Sequence, residues 1–167
     1  MLFLFVEIQK VLQNLLKEKV SIRNLESVLE VLVDSGRGTK DPAILTELVR
    51  QKLGPVICQS LAHEGGHLHV LTLDPQIEQA LANSIRAVSE RSTLVLDPRY
   101  AEQVLSRLGA QVEKMLKSNV MPVLLCSAEL RHHIRNITER VLPHLAILSM
   151  AEVPSNVSLK SFGVVTV

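Results

Sequence analysis

In the first third of the chain, apolar residues follow the 3.6-residue period of amphipathic helices, in three separate runs. Ser21 can cap the second run, and Asp41-Pro42 can begin the third, because proline needs no amide donor at the first helical position. Gly54-Pro55 is expected to kink or end the third helix. The three stripes are predicted to face one another in a small bundle; they comprise Ile8, Val11, Leu12, Leu15, Leu16, Ile22, Leu25, Val28, Leu29, Leu32, Ile44, Leu45, Leu48, Val49 and Leu53.

After Gly65-Gly66 the pattern changes to short apolar runs that alternate with helical stretches. Such alternation predicts strands joined by right-handed crossovers, with parallel pairings. The continuous runs 123–126, which contains Leu125, and 145–148 are typical of central strands covered on both faces. The predicted fold is α+β or α/β: a three-helix module at 1–61, then an α/β module at 62–167 with a mostly parallel sheet and flanking helices. The predicted strands are 67–73, 93–96, 123–126, 145–148 and 159–165, and the helices follow Asp74-Pro75, Asp97-Pro98 and Ser127.

Composition narrows the classes of function. The chain has 167 residues, 47% of them hydrophobic, so it can build a sizeable core. Few aromatic rings are present for base stacking, since the chain has three Phe, one Tyr and no Trp. The net charge of +1 also gives no strongly basic surface for binding a polyanion. Nucleic-acid binding is therefore disfavoured. Cys58 and Cys126 lie in apolar settings without a CxxC pair and are interpreted as reduced core thiols.

No apolar run reaches the length that spans a bilayer. The apolar start, residues 1–6, is too short for a signal peptide and lacks a basic leader. We interpret it as the cut end of a longer chain.

Sequence motifs give no convincing catalyst. His63-Glu64-Gly65-Gly66-His67 matches the HExxH zinc pattern, which works only on a helix, where both imidazoles share one face. Two glycines at a turn into a strand make that helix unfavourable, so the match is interpreted as accidental and no metal or cofactor is expected. Asp97 and Ser127 stand at strand-to-helix junctions, where a small hydrolase could place a nucleophile, but helix capping explains both. We expect a non-enzymatic protein.

Five residues are candidates for contacts with a partner. Arg131, His132 and Arg135 give one predicted helix a basic character, and Arg23 and Arg50 belong to the helical module. The alternatives are a solvated face for the first three and internal ion pairs for the two arginines.

Several segments in one order carry a family resemblance. They are VSIRNLESVLEVL at 20–32, KDPAILTELVRQKL at 40–53, PVLLC at 122–126, ITER at 137–140 and ILSMAEVP at 147–154. This collinear set resembles the cytoplasmic domain of the export-gate family of flagella and injectisomes, the FlhA/InvA/LcrD family. The segments HVLTLDPQIEQAL at 69–81 and SFGVVTV at 161–167 favour the flagellar branch, with the injectisome branch as the alternative.

The resemblance implies a role in a protein-export machine. Family members have a membrane region and a cytoplasmic domain of several subdomains, which forms a ring at the inner membrane and receives export substrates and chaperones. This chain looks like the third and fourth subdomains, so neighbouring protomers are its implied partners, and chaperones and substrates dock mainly on subdomains outside it. A winged-helix-like nucleic-acid-binding module is a weaker alternative, because ESVLEVLVD at 26–34 is acidic.

Overall fold

A computed structural model describes residues 5–91 and 96–167. The chain divides into two compact units: Met1–Ser60 with Ala151–Asn156, and Leu61–Met150 with Val157–Val167. The first unit therefore includes a segment from late in the chain, which the sequence pattern had assigned to the α/β module. Within the described residues, no helix is long and apolar enough to cross a membrane.

Four helices are described in the first part of the chain: α1 (Phe5–Lys17), α2 (Leu25–Ser35), α3 (Pro42–Lys52) and α4 (Gly54–Leu61). Asp41 caps α3 as predicted, since its carboxylate accepts the Ala43 amide at 2.9 Å. One prediction was wrong: Asn24, rather than Ser21, caps α2. The third helix ends at Lys52, just before Gly54-Pro55, as predicted. A fourth helix then begins at Gly54, because proline is well tolerated near a helix start.

The apolar stripes of the helical unit are wider than the faces that its helices bury. In α2, Val28 and Leu32 are buried, whereas Leu25 and Leu29 are 44% and 39% exposed. Leu16 of α1 and Ile44 of α3 are likewise exposed. The prediction that all stripe residues face the bundle was therefore wrong at these positions. The buried residues of the three stripes are Val11, Leu15, Val28, Leu32, Leu45, Val49 and Leu53.

The α/β unit contains a four-stranded, entirely parallel sheet among its described residues, in the order β3-β2-β1-β4. This confirms the predicted fold class. The predicted strand at 93–96 falls mostly on residues 93–95, which lie outside the described residues. The elements are β1 (His67–Leu73), α5 (Pro75–Arg91), α6 (Pro98–Lys117), β2 (Val123–Cys126), α7 (Ala128–Thr138), β3 (Ala146–Ser149), a 3-10 turn (Met150–Glu152) and β4 (Ser158–Val165).

Strand β2 is central, as predicted, and Leu125 on it is buried. The run at 145–148 was also predicted to be central, but in the sheet formed by the described residues β3 stands at the edge, so that prediction was wrong for this part of the chain. Its residues are nevertheless largely buried, because α7 packs along it. One face of the sheet carries the core of this unit, to which helices α5, α6 and α7 contribute; its members include Leu71, Leu73, Ile77, Val104, Leu108, Met115, Leu124, Leu130, Ile134 and Ile147.

Candidate partner surfaces and the buried arginine clusters

Arg50 is the centre of a buried ionic cluster in the helical unit. Its Nη1 lies 2.7 Å from Glu18 Oε2, and its Nε lies 2.8 Å from Glu152 Oε2. The three residues come from α3, from the turn after α1 and from the late segment Ala151–Asn156. Arg50 and Glu152 are both almost fully buried. A planar guanidinium can bind two carboxylates at once, so Arg50 joins three distant parts of the sequence.

The late segment also approaches the start of α4. A Cβ atom at Gly54 would collide with the carbonyl oxygen of Glu152 and lie 3.0 Å from its carbonyl carbon. Cys58, one turn further along α4, has its Sγ 3.7 Å from the same carbonyl oxygen. Only a residue without a side chain permits this backbone-to-backbone approach, which explains a glycine inside the first turn of a helix.

We expect Gly54→Ala to lower the free energy of unfolding by about 1–3 kcal/mol, because the new methyl group forces the backbone of Glu152 away. Gly38→Ala is the matched control, since its Cβ would meet only the Ser35 carbonyl at an ordinary 3.7 Å. Denaturant titration of both variants checks the prediction. Equal stability of the two variants would contradict the close approach.

The thiol of Cys58 has low nucleophilic reactivity in the folded protein. Burial and the nearby Glu152 carboxylate raise the pKa of Cys58 to about 11, although Arg50 opposes the shift. Because the thiolate is the nucleophile, iodoacetamide at pH 8 should modify Cys58 slowly in the folded protein and quickly after unfolding in guanidinium. Peptide mass spectrometry against time checks this, and the folded-state rate should rise as pH approaches the raised pKa. Equal rates for folded and unfolded protein would contradict the burial of the thiol.

A second arginine cluster lies along strand β3 of the α/β unit. Arg131 Nη1 donates to the Ile147 carbonyl at 3.3 Å, and Arg135 Nη1 donates to the Leu145 carbonyl at 3.4 Å. In a parallel ladder, alternate residues of a strand bond to the same neighbour. Ala146 donates to Pro122 ahead of β2, so the carbonyls of residues 145 and 147 point to the outer edge of β3. The two arginines therefore cover backbone acceptors that an edge strand otherwise presents to solvent.

The five interface candidates thus occupy different environments. Arg50 and Arg131 are buried and bound within their own units, whereas Arg23 is exposed. Arg135 is half-buried, as is His132, whose Nε2 lies 3.4 Å from the Asn136 amide nitrogen. Arg23 belongs to the helical unit, and His132 and Arg135 belong to the α/β unit. Arg23, His132 and Arg135 therefore keep an accessible surface.

The HExxH pattern lies in a turn and not on a helix. Gly65 and Gly66 have φ angles of 98° and 77°, a left-handed region that glycine tolerates. His67 begins β1, and its carbonyl accepts the His63 amide at 3.0 Å. Throughout 5–91 and 96–167, no group of three His, Cys, Asp or Glu side chains could hold a metal ion. The two histidines therefore lack the helical arrangement that the zinc chemistry needs.

An open cleft in the α/β unit adjoins this turn. Its volume is about 410 Å³, and its walls combine apolar side chains with two histidines whose ring centroids are 5.9 Å apart. The lining includes Leu61, His63, His69, Leu116, Val120 and Met121. Neither cysteine of the chain is among the lining residues, so the cleft brings no thiol to the two histidines.

The junction residues Asp97 and Ser127 differ in whether their side chains cap the helix that follows. Asp97 caps α6 by accepting the Arg99 amide at 3.0 Å. Ser127 occupies the N-cap position of α7, but its side chain makes no capping hydrogen bond, so capping does not account for it as predicted. The first turn of α7 also carries Glu129, whose negative charge suits a helix start.

Sequence reasoning missed Glu18 and Glu152 as the partners of Arg50. Glu152 lies in the ILSMAEVP segment, where a carboxylate follows a buried strand, and that placement was the available signal. Glu18 gave no such signal, because it stands among lysines in a polar turn.

Known proteins of one family match nearly the whole chain. The model of the FHIPEP family matches residues 2–158. Flagellar biosynthesis protein FlhA of Bacillus subtilis is 37% identical over 161 residues, which is 96% of this chain and 24% of that protein. The chain therefore spans about a quarter of the length of this curated relative.

Two solved structures are similar in fold. The nonameric EscV cytosolic domain from the type III secretion system superposes with a TM-score of 0.77 at 31% identity, covering 96% of this chain and 47% of that chain. The Chlamydia pneumoniae CdsV protein in its complex with CdsO superposes with a TM-score of 0.80 at 26% identity, covering 96% of this chain and 46% of that chain.

Proposed function

Because this chain belongs to the FHIPEP family, we propose that it is part of the cytoplasmic scaffold of a flagellar-type protein-export gate. The observation that carries the proposal is the extent of the match, since residues 2–158 include nearly all of both units. Its place is the cytoplasmic face of the bacterial inner membrane, and its role is mechanical rather than enzymatic.

The scaffold contacts neighbouring protomers and other export components. The nonameric state of the EscV domain and the complex of CdsV with CdsO support contacts of these two kinds. Among the predicted interface residues, Arg23, His132 and Arg135 keep the accessible surface that such contacts need, and Arg50 and Arg131 support them by holding each unit together. The helical unit corresponds to a third subdomain of the export-gate domain, and the α/β unit to a fourth.

A chimera tests the export role. The matching 161 residues of Bacillus subtilis FlhA are replaced by this chain, and flagellin secretion and motility are measured in a strain lacking its own copy. Restored secretion is expected, because the exchanged part keeps both units. A chimera produced at normal level that secretes no flagellin would contradict the flagellar assignment. FlhA lacking the exchanged part is the negative control.

The injectisome branch is the second candidate, favoured by the 31% identity to EscV from a type III secretion system. The same exchange into EscV distinguishes the two. Secretion restored in EscV but not in FlhA would assign the chain to the injectisome branch.

We also expect the isolated chain to bind export chaperones weakly. The resemblance places their groove mainly on subdomains outside this chain. Calorimetric titration of a flagellar chaperone into the isolated chain and into the complete FlhA cytoplasmic domain checks this. Equal affinities would place the docking site on the residues of this chain and revise the scaffold role.

A further inference from the structure

Helix α2 has an apolar stripe that the rest of its unit does not cover. Leu25, Leu29 and Val33 are 44%, 39% and 61% exposed. They are spaced four residues apart, so on a helix they form one continuous row. The apolar residues beside this row, Val28 and Leu32, are buried in the helical unit. An exposed row of large aliphatic side chains beside a filled core is a typical feature of a binding surface.

A row of acids runs beside this stripe. Glu26, Glu30 and Asp34 each follow one stripe residue by a single position and are all exposed. One position is about 100° of rotation on a helix, so the carboxylates line one flank of the apolar row over its full length. Within Leu25–Ser35 there is no Lys, Arg or His. Arg23 and Arg37 stand beyond the two ends of the helix and leave this flank acidic.

The charge pattern selects among possible occupants. A nucleic acid is repelled by three carboxylates in a row. A groove-binding or antiparallel amphipathic helix that carries an apolar row flanked by Lys or Arg matches both the apolar and the acidic rows. We propose that the outer face of α2, comprising Leu25, Leu29, Val33, Glu26, Glu30 and Asp34, docks a basic amphipathic helix of another export component.

Three aliphatic side chains are a small contact, so the interaction is transient. It depends strongly on salt, because the acids are exposed and screened by ions. The biological setting rests on the proposed function, but the surface itself does not: the chimera measures export, whereas a binding assay measures this face alone.

The test uses the full chain and two synthetic helical peptides of about five turns. Both peptides carry the same leucine row, flanked by Lys in one and by Glu in the other. NMR titration of the isotope-labelled chain gives the affinity and the residues contacted. We expect the Lys peptide to bind at least about tenfold more tightly, with chemical-shift changes confined mainly to 23–36 and weakened at high salt.

Two variants separate the apolar row from the acidic row. Leu29→Ser should weaken binding of the Lys peptide by about tenfold. Glu26→Lys combined with Glu30→Lys should reverse the preference, so that the Glu peptide binds more tightly. The charge variant alters only exposed positions, so it keeps the test decisive if Leu29→Ser impairs folding. Glu113→Lys, an exposed acid on α6, is the matched control and should change neither affinity.

Three outcomes would overturn the proposal. Equal affinity for the two peptides would show that the acidic row does not select a basic partner. Shift changes centred outside α2 would place the site elsewhere. Sedimentation that shows self-association of the chain alone, abolished by Leu29→Ser, would assign the stripe to a second copy of this chain.

Discussion

Replacing Arg50 by Met should lower the free energy of unfolding by about 3–5 kcal/mol, the largest effect expected in the helical unit. The guanidinium lies between Glu18 and Glu152 at 2.7 and 2.8 Å, and the Glu152 side chain is fully buried. Met fills a similar volume, so the loss comes from the charge that faces these carboxylates and not from a cavity. A buried carboxylate deprived of its cation is strongly unfavourable.

Hydrogen exchange read by mass spectrometry localises the loss of stability. Peptides from α3 and α4 should exchange faster in Arg50→Met, whereas β2 and α7 should be less affected, because the cluster belongs to the helical unit. Lys52→Met is the matched control, since Lys52 is exposed on the same helix and its loss should change stability by less than about 0.5 kcal/mol. Indistinguishable stabilities of the two variants would show that the cluster contributes nothing.

Leu124→Ala should destabilise the α/β unit by about 2–5 kcal/mol. Leu124 is fully buried on the central strand β2, between Leu71 of β1 and Ile147 of β3. Truncation removes its packing against the helices on that face and leaves a cavity that a rigid sheet cannot collapse to fill.

The control removes the same atoms from an exposed site. Leu116 on α6 is 51% exposed, so Leu116→Ala should change stability by less than about 1 kcal/mol in the same urea titration. A loss for Leu124→Ala no larger than that for Leu116→Ala would mean that β2 does not form the centre of the core.

Local chemistry made much of the fold predictable. The pairs Asp41-Pro42 and Asp97-Pro98 mark helix starts, because the aspartate carboxylate accepts a hydrogen bond from a backbone N–H and proline has no N–H to leave unpaired. Asp41 and Asp97 are indeed the N-caps of α3 and α6. The strands at 67–73 and 123–126 follow from short apolar runs. These features depend on residues close together in the sequence.

The errors come from contacts between distant residues. The stripe on α2 is wider than the surface that its unit covers, and no local pattern distinguishes its core positions from its exposed ones; Val28 is buried whereas Leu29 is not. Strand β3 lies at the edge of the sheet within 5–91 and 96–167, yet its continuous apolar run resembles that of a central strand. Arg131 and Arg135 bind its outer carbonyls, a contact that the run itself does not reveal. Among the interface candidates, the pairing of Arg50 joins residues about a hundred positions apart, and no local pattern connects Arg50 with Glu152 even though the position of Glu152 after a buried strand is visible in the sequence.

That late segment affects the order in which the protein can fold during synthesis. The helical unit needs Glu152 beside Arg50, yet the ribosome must first add the whole stretch 61–150. At bacterial elongation rates this delay is roughly 5 to 20 seconds. Through that interval Arg50 has been synthesised but its partner Glu152 has not. The helices of this unit are thus synthesised well before the segment that completes their ionic cluster. A nascent chain that stalls or is truncated within 61–150 lacks Glu152 and leaves this cluster incomplete.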